Sequence, residues 1–148
     1  MFNKKMSNPL RYSKILIADD SPFFRAKIKQ ILKNADIGYY YYTAADGHES
    51  ILQYKQHRPD LVIMDIIMPN VDGFKATQTI RRMDPKSKII VISVKENKEI
   101  VDDVVNRFGA KDYLLKPLDP GLVVMAVSKQ LADRRIKPHS KPTINTKN

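Results

Sequence analysis

The stretch Leu61–Gly73, LVIMDIIMPNVDG, constrains the fold more than any other part of the chain. Leu61, Val62, Ile63 and Met64 form an apolar run without polar alternation. A strand of that character is buried on both faces, as strands of a parallel sheet are. Asp65 stands where such a strand ends, and Asn70–Gly73 supply turn residues. In an open α/β sheet, ligands bind in the crevice outside the carboxyl ends of the strands. A carboxylate at that end is either costly or useful.

Similar short apolar runs recur along the chain, each followed by a stretch of helical spacing. Lys14–Asp19 (KILIAD) reads as the first strand, and Asp20-Ser21-Pro22 caps a helix that continues to Asn34. Tyr39–Thr43 reads as the second strand, with one face buried and the other exposed. A helix from His48 to His57 follows, stopped by Pro59. Leu61–Met64 is the third strand, and Phe74–Met83 the third helix. Lys88–Ser93 is the fourth strand. Glu96–Phe108 is the fourth helix, with Gly109 as its stop. Asp112–Leu115 is the fifth strand, and Leu118-Asp119-Pro120 opens a last helix to about Arg135. Strands alternating with helices predict an α/β fold, with a five-stranded parallel sheet wound on both faces by five helices. Right-handed crossovers restrict the topology further.

The 148 residues suffice for one domain with a full core. The chain has no cysteine, which excludes a disulfide framework or a cysteine zinc site and fits a cytoplasmic compartment. No apolar run approaches the roughly 20 residues of a membrane span, and the N-terminus lacks a signal-peptide core. The formal charge is +10, and much of it lies at the ends. Lys4, Lys5 and Arg11 precede the first strand, and Lys137, Lys141 and Lys147 follow the last helix, with no acid in either segment. Such ends solvate the chain. The consecutive tyrosines 39–42 raise the alternative of a stacking platform for single-stranded nucleic acid. His48, His57 and His139 do not cluster and read as surface residues.

Chemistry accumulates at one rim, because the carboxyl ends of parallel strands share an edge. Asp19-Asp20 close the first strand, Asp65 the third and Ser93 the fourth, and Lys116-Pro117 follow the fifth. Bare carboxylates in one site repel one another. A divalent cation removes that penalty, and an all-oxygen ligand set selects a hard ion. Mg²⁺ is the natural choice, with Mn²⁺ an alternative. A cation, an ammonium and a hydroxyl around a carboxylate suit phosphoryl transfer to a carboxylate oxygen, giving an aspartyl phosphate.

The motifs ILIADDS, VIMDIIMPNVDG, IIVIS and DYLLKP together resemble the response-regulator receiver domain of the CheY type. The resemblance implies a flavodoxin-like sheet of order 2-1-3-4-5. It places a receiver domain at 13–135, between a basic extension at 1–12 and a basic tail at 136–148 expected to be disordered. It implies Asp65 as phosphoacceptor, and Asp19, Asp20, Asp65 and the backbone carbonyl of Ile67 as metal ligands. Ser93 resembles the switch hydroxyl, Lys116 the lysine that pairs with the phosphoryl group, and Tyr113 the switch aromatic. Pro117 matches the cis-proline position. The implied partners are a sensor histidine kinase or phosphotransfer protein as donor and a downstream target protein. The target would read helix four, strand five and helix five. The residues after Arg135 are too few for a DNA-binding domain, so a stand-alone regulator is expected, monomeric or dimerising on phosphorylation; the alternative is a piece of a longer regulator, with the basic end as the start of a linker. The receiver is then a switch that assists its own phosphorylation and dephosphorylation, rather than an enzyme.

Val94 departs from the small residue common in the family. With Ile67 and Lys95 it flanks the path of the hydrolytic water, so slow self-dephosphorylation is expected. Two rival classes remain. A haloacid-dehalogenase-type phosphatase needs an acid two residues after its nucleophile, where this chain has Ile67 or Ser21. A phosphorylation-independent binding module would not need the acids, hydroxyl and lysine together.

Overall fold

A computed structural model describes residues 8–94 and 98–133. Five parallel strands form one sheet in the order β2-β1-β3-β4-β5. They are β1 (Lys14–Ala18), β2 (Tyr40–Ala44), β3 (Leu61–Asp65), β4 (Ile89–Val94) and β5 (Asp112–Lys116). Five helices alternate with them: α1 (Pro22–Asn34), α2 (Gly47–His57), α3 (Gly73–Met83), α4 (Lys98–Phe108) and α5 (Pro120–Leu131). This is the expected doubly wound, flavodoxin-like architecture.

β3 lies at the centre, and every residue of it is buried. Its alternate side chains serve two separate cores, which explains the unbroken apolar run. Leu61 and Ile63 join Ile15, Ile17, Ile90 and Ile92 against α1 and α5. Val62 and Met64 join Leu16, Ala18, Ile89 and Val91 against α2, α3 and α4. A side chain of this size contributes about 1.5–3 kcal/mol when fully buried. The same alternation fixes register, since a one-residue slip would exchange the two cores.

The helix starts are set by side-chain caps. Ser21, Asp46, Asp72 and Asp119 accept from backbone amides in the first turns of α1, α2, α3 and α5. Each cap satisfies an amide that the helix itself leaves unpaired, typically worth about 1 kcal/mol. All four of these capped helices follow strands whose carboxyl ends face the same rim.

Several boundaries differ from the sequence reading. β2 and β4 each begin and end one residue later than expected. α5 stops at Leu131 rather than near Arg135: the Asp133 amide donates to the Gln130 carbonyl at 3.3 Å, a tighter bond that closes the last turn, and Asp133 is not helical. Residues beyond Asp133 lie outside the described set, as do the expected start of α4 at Glu96 and the tail at 136–148. The segment before β1 contains a short 3₁₀ turn, Pro9–Tyr12, that the sequence reading did not anticipate. Leu10 packs on the α1–α5 core and accepts from the Gly38 amide at 2.9 Å, so this part of the expected extension joins the domain.

β2 is an edge strand covered in part on both faces, not on one. Tyr41 packs against the first core and Tyr42 against the second. His57, expected at the surface, is half-buried and stacks on Tyr42 with ring centroids 3.8 Å apart. That stacking occupies one face of Tyr42, which a nucleic-acid base would otherwise need.

Candidate functional site

Local geometry delivers the side chains to the rim. Asp19 follows the last residue of β1 and stays in line because its amide donates to Ala44 of β2 at 3.0 Å. Asp65 is the last residue of β3. The chain then bends sharply, and Gly73 of α3 passes directly over it: a Cβ at Gly73 would lie 1.8 Å from the Asp65 carbonyl oxygen. Only glycine permits that approach. The loop between β3 and α3 is also tied sideways to α2. Gly47 donates to the Val71 carbonyl at 2.7 Å, and Asn70 Nδ2 donates to Asp46 Oδ2 at 2.7 Å. Asn70 adopts the left-handed region at φ 64°.

Asp19, Asp20 and Asp65 converge, each offering a carboxylate oxygen within 4.8 Å of the others. Asp19 is fully buried, Asp65 nearly so, and Asp20 is exposed. Lys116, at the end of β5, spans the two buried acids. Its Nζ lies 3.2 Å from Asp19 Oδ2 and 3.3 Å from Asp65 Oδ2. The other oxygens accept from backbone amides: Asp19 Oδ1 from Ser21 at 2.9 Å, and Asp65 Oδ1 from Ile67 at 3.2 Å.

Two buried acids against one ammonium leave an excess of negative charge. The Asp65 carboxyl is accordingly pushed up to about 6, first by burial and then by the Asp19 charge, with Lys116 and the Ile67 amide opposing. A hard divalent cation fits this donor set. It would supply the missing positive charge, and carboxylate oxygens are the ligands such ions take. Asp19, Asp20 and Asp65 are the side chains able to hold it.

Ser93 lies on β4, whose Ile92 is in register with Asp65. Its hydroxyl is buried and finds no hydrogen-bond partner among the described residues. A buried hydroxyl without a partner costs free energy, and a ligand at the rim can relieve it. Ile67 is 59% exposed and Val94 38% exposed. Lys95 lies outside the described residues. Tyr113, on β5, is half-buried against the second core. The Lys116–Pro117 peptide bond is cis.

The sequence reading missed two residues that touch the site. Arg25 Nη1 donates to the Asp19 carbonyl at 2.6 Å. The Phe24 ring lies under the Lys116 ammonium, 4.0 Å from Nζ to its centroid. Both sit on the first turns of α1. No sequence pattern signals their contacts, because an apolar and a basic residue at these positions read as ordinary helix faces.

Comparisons with known proteins agree with this geometry. The family model for the response regulator receiver domain matches residues 15–128. Protein CcdB of Bacillus subtilis is 40% identical over 119 residues, covering 79% of this chain and 96% of that protein. Chemotaxis protein CheY of Thermotoga maritima is 39% identical over 117 residues, covering 78% and 95%. A chain in the crystal structure of the CheX–CheY–BeF₃–Mg²⁺ complex from Borrelia burgdorferi superposes with a TM-score of 0.74 at 34% identity, covering 79% and 87%. Among the described residues, no helix is long and apolar enough to cross a membrane. With motif, topology and matched span in agreement, the chain belongs to the response-regulator receiver family and is a CheY-like domain of two-component signalling.

Proposed function

We propose that this receiver is a phosphorylation-controlled switch in which Asp65 takes the phosphoryl group. A sensor histidine kinase or a phosphotransfer protein is the donor. The observation that carries this reading is the convergence of Lys116 with Asp19 and Asp65, beside the Ser93 hydroxyl, which has no hydrogen-bond partner among the described residues. Asp19, Asp20, Asp65 and the Ile67 carbonyl would hold Mg²⁺, or Mn²⁺ in its place. When bound, the ion neutralises the acids and the phosphoryl oxygens.

An Asp65 carboxylate oxygen attacks phosphorus in line. The new O–P bond forms as the bond to the leaving group breaks, and the leaving group departs with that electron pair. Lys116 leaves its ion pair with Asp65 for a phosphoryl oxygen, so its charge follows the charge being transferred. The Ser93 hydroxyl donates to another phosphoryl oxygen and gains a partner that it lacks among the described residues. Its movement opens space for Tyr113 to rotate into the core. The two conformations are a population equilibrium, biased by the new charge.

The readout surface is α4, β5 and α5. A groove of about 610 Å³ runs between β5 and α5, lined in part by Tyr113, Leu115, Leu122 and Met125. Leu122 and Met125 are exposed there, 55% and 65%. Their apolar character suits a protein target.

The test is intact-mass analysis after incubation with acetyl phosphate and Mg²⁺. The wild-type protein is expected to gain one phosphoryl group, and Asp65→Ala none. An unmodified wild-type protein would defeat the reading. Capture of partners by beryllofluoride-treated protein, compared with Asp65→Ala, then identifies the target. Turnover of a generic phosphate ester would instead indicate a phosphatase.

A further inference from the structure

Phe24 occupies an unusual position for a residue of an amphipathic helix. It is the third residue of α1, and its amide donates to the capping Ser21 hydroxyl at 3.3 Å. Its ring packs partly on the α1–α5 core and meets Phe23 edge-on, with centroids 5.4 Å apart and planes at 79°. A face of that ring is covered by the Lys116 ammonium at 4.0 Å. The ammonium thus has three neighbours: the Asp19 carboxylate, the Asp65 carboxylate and an aromatic face.

We propose that Phe24 is a positioning residue for Lys116, holding the ammonium over the phosphoacceptor through its π-face. This rests on the reading of Asp65 as phosphoacceptor and goes beyond it. A lysine side chain has four rotatable bonds and is strongly hydrated, so burying its head is costly without compensation. The negative face of a phenyl ring supplies compensation and excludes water. It differs from the two carboxylates in one respect that matters for a moving charge. A hydrogen bond is lost when its angle falls, whereas attraction to a ring face varies slowly as the cation slides across it. The ammonium can therefore leave Asp65 for a phosphoryl oxygen while keeping the ring beneath it. Packing alone would need only an apolar side chain of this size at position 24.

Isosteric weakening of the ring face separates the two roles. The experiment places phenylalanine carrying one, two or three fluorines at position 24 and follows phosphorylation by acetyl phosphate with Mg²⁺, alongside Phe24→Trp and Phe24→Leu. In that step an Asp65 oxygen bonds to phosphorus, and acetate leaves with the electrons of the broken P–O bond. The rate is expected to fall stepwise with fluorine number and by about three- to tenfold in Phe24→Leu, with Phe24→Trp near wild type. In the metal-free protein, the Lys116 ε-proton resonances are expected upfield in the wild type and near random-coil values in Phe24→Leu. A flat fluorine series, or an unshifted Lys116 signal, in a wild-type protein that does phosphorylate overturns the role of Phe24 alone. A wild-type protein that does not phosphorylate overturns the function reading beneath it.

Discussion

Lys116 and Asp65, 51 positions apart in the chain, meet with 3.3 Å between Nζ and Oδ2. The same ammonium lies 3.2 Å from Asp19 Oδ2, so one cation holds two buried acids. A divalent ion entering the site competes with it for both. Lys116→Ala should therefore bind Mg²⁺ more tightly, by about tenfold, since unpaired carboxylates are better ligands. It should also phosphorylate more slowly, by about 10–100-fold, since the ammonium no longer meets the transferring charge. Titration of tyrosine fluorescence with Mg²⁺ and the acetyl phosphate rate read the two effects separately. Weaker Mg²⁺ binding would contradict the competition.

Burial, and then the Asp19 charge, push the Asp65 carboxyl up to about 6 in the folded, metal-free protein, against about 3.9 in the unfolded chain. The folded state thus binds more protons between about pH 4 and 6, and its stability falls as pH rises through that window. Above pH 6 the full cost is present, about 1–2 kcal/mol once partial solvation is allowed for. Asp65→Asn should remove it. Urea unfolding without Mg²⁺ should show the variant more stable than wild type at pH 7.5, and a much smaller difference at pH 4. Equal differences at both values would refute the assignment. Mg²⁺ should diminish the wild-type deficit by favouring the charged form.

Ser93 has a buried hydroxyl with no partner among the described residues. Ser93→Ala should leave the unphosphorylated protein as stable as wild type, or more stable by up to about 1 kcal/mol. The phosphorylated or beryllofluoride-bound protein should lose stability relative to wild type. Thermal melts with and without beryllofluoride and Mg²⁺ measure both. A marked loss in the free protein would mean the hydroxyl already has work there.

Gly73 and Gly47 brace the loop that follows Asp65. A Cβ would fall 1.8 Å from the Asp65 carbonyl at Gly73, and 1.9 Å from the Val71 carbonyl at Gly47. Both contacts are with backbone, which cannot step aside as a flexible side chain can. Gly73→Ala should cost about 3 kcal/mol or more in urea unfolding, well above an ordinary glycine-to-alanine change in a helix, which is favourable by about 1 kcal/mol.

Ile67 and Val94 present exposed apolar side chains on either side of the rim. With Asp65 as the phosphoacceptor, both are expected to obstruct and dry the approach of water to the phosphoryl group. The aspartyl phosphate should persist for minutes or longer, and Ile67→Asn should shorten it several-fold by admitting and orienting water. A wild-type half-life of seconds, measured by loss of label from purified phosphoprotein, would sink this expectation.

Much of this protein is legible locally. Unbroken apolar runs, capping acids and the Gly109 stop mark strands and helices because each depends on neighbours a few residues away. Once the strands are parallel, their carboxyl ends must share a rim, so Asp19, Asp20, Asp65, Ser93 and Lys116 were bound to be brought near one another. The docking of Leu10, the Gly73 carbonyl contact, the early end of α5 and the Phe24 ring under Lys116 had no such local sign. Each depends on where a side chain or backbone atom from a distant segment arrives, and on what that arrival shields from water. The raised Asp65 carboxyl belongs with them: its chemistry follows from burial and from the charge of Asp19, and both exist only when the chain is folded.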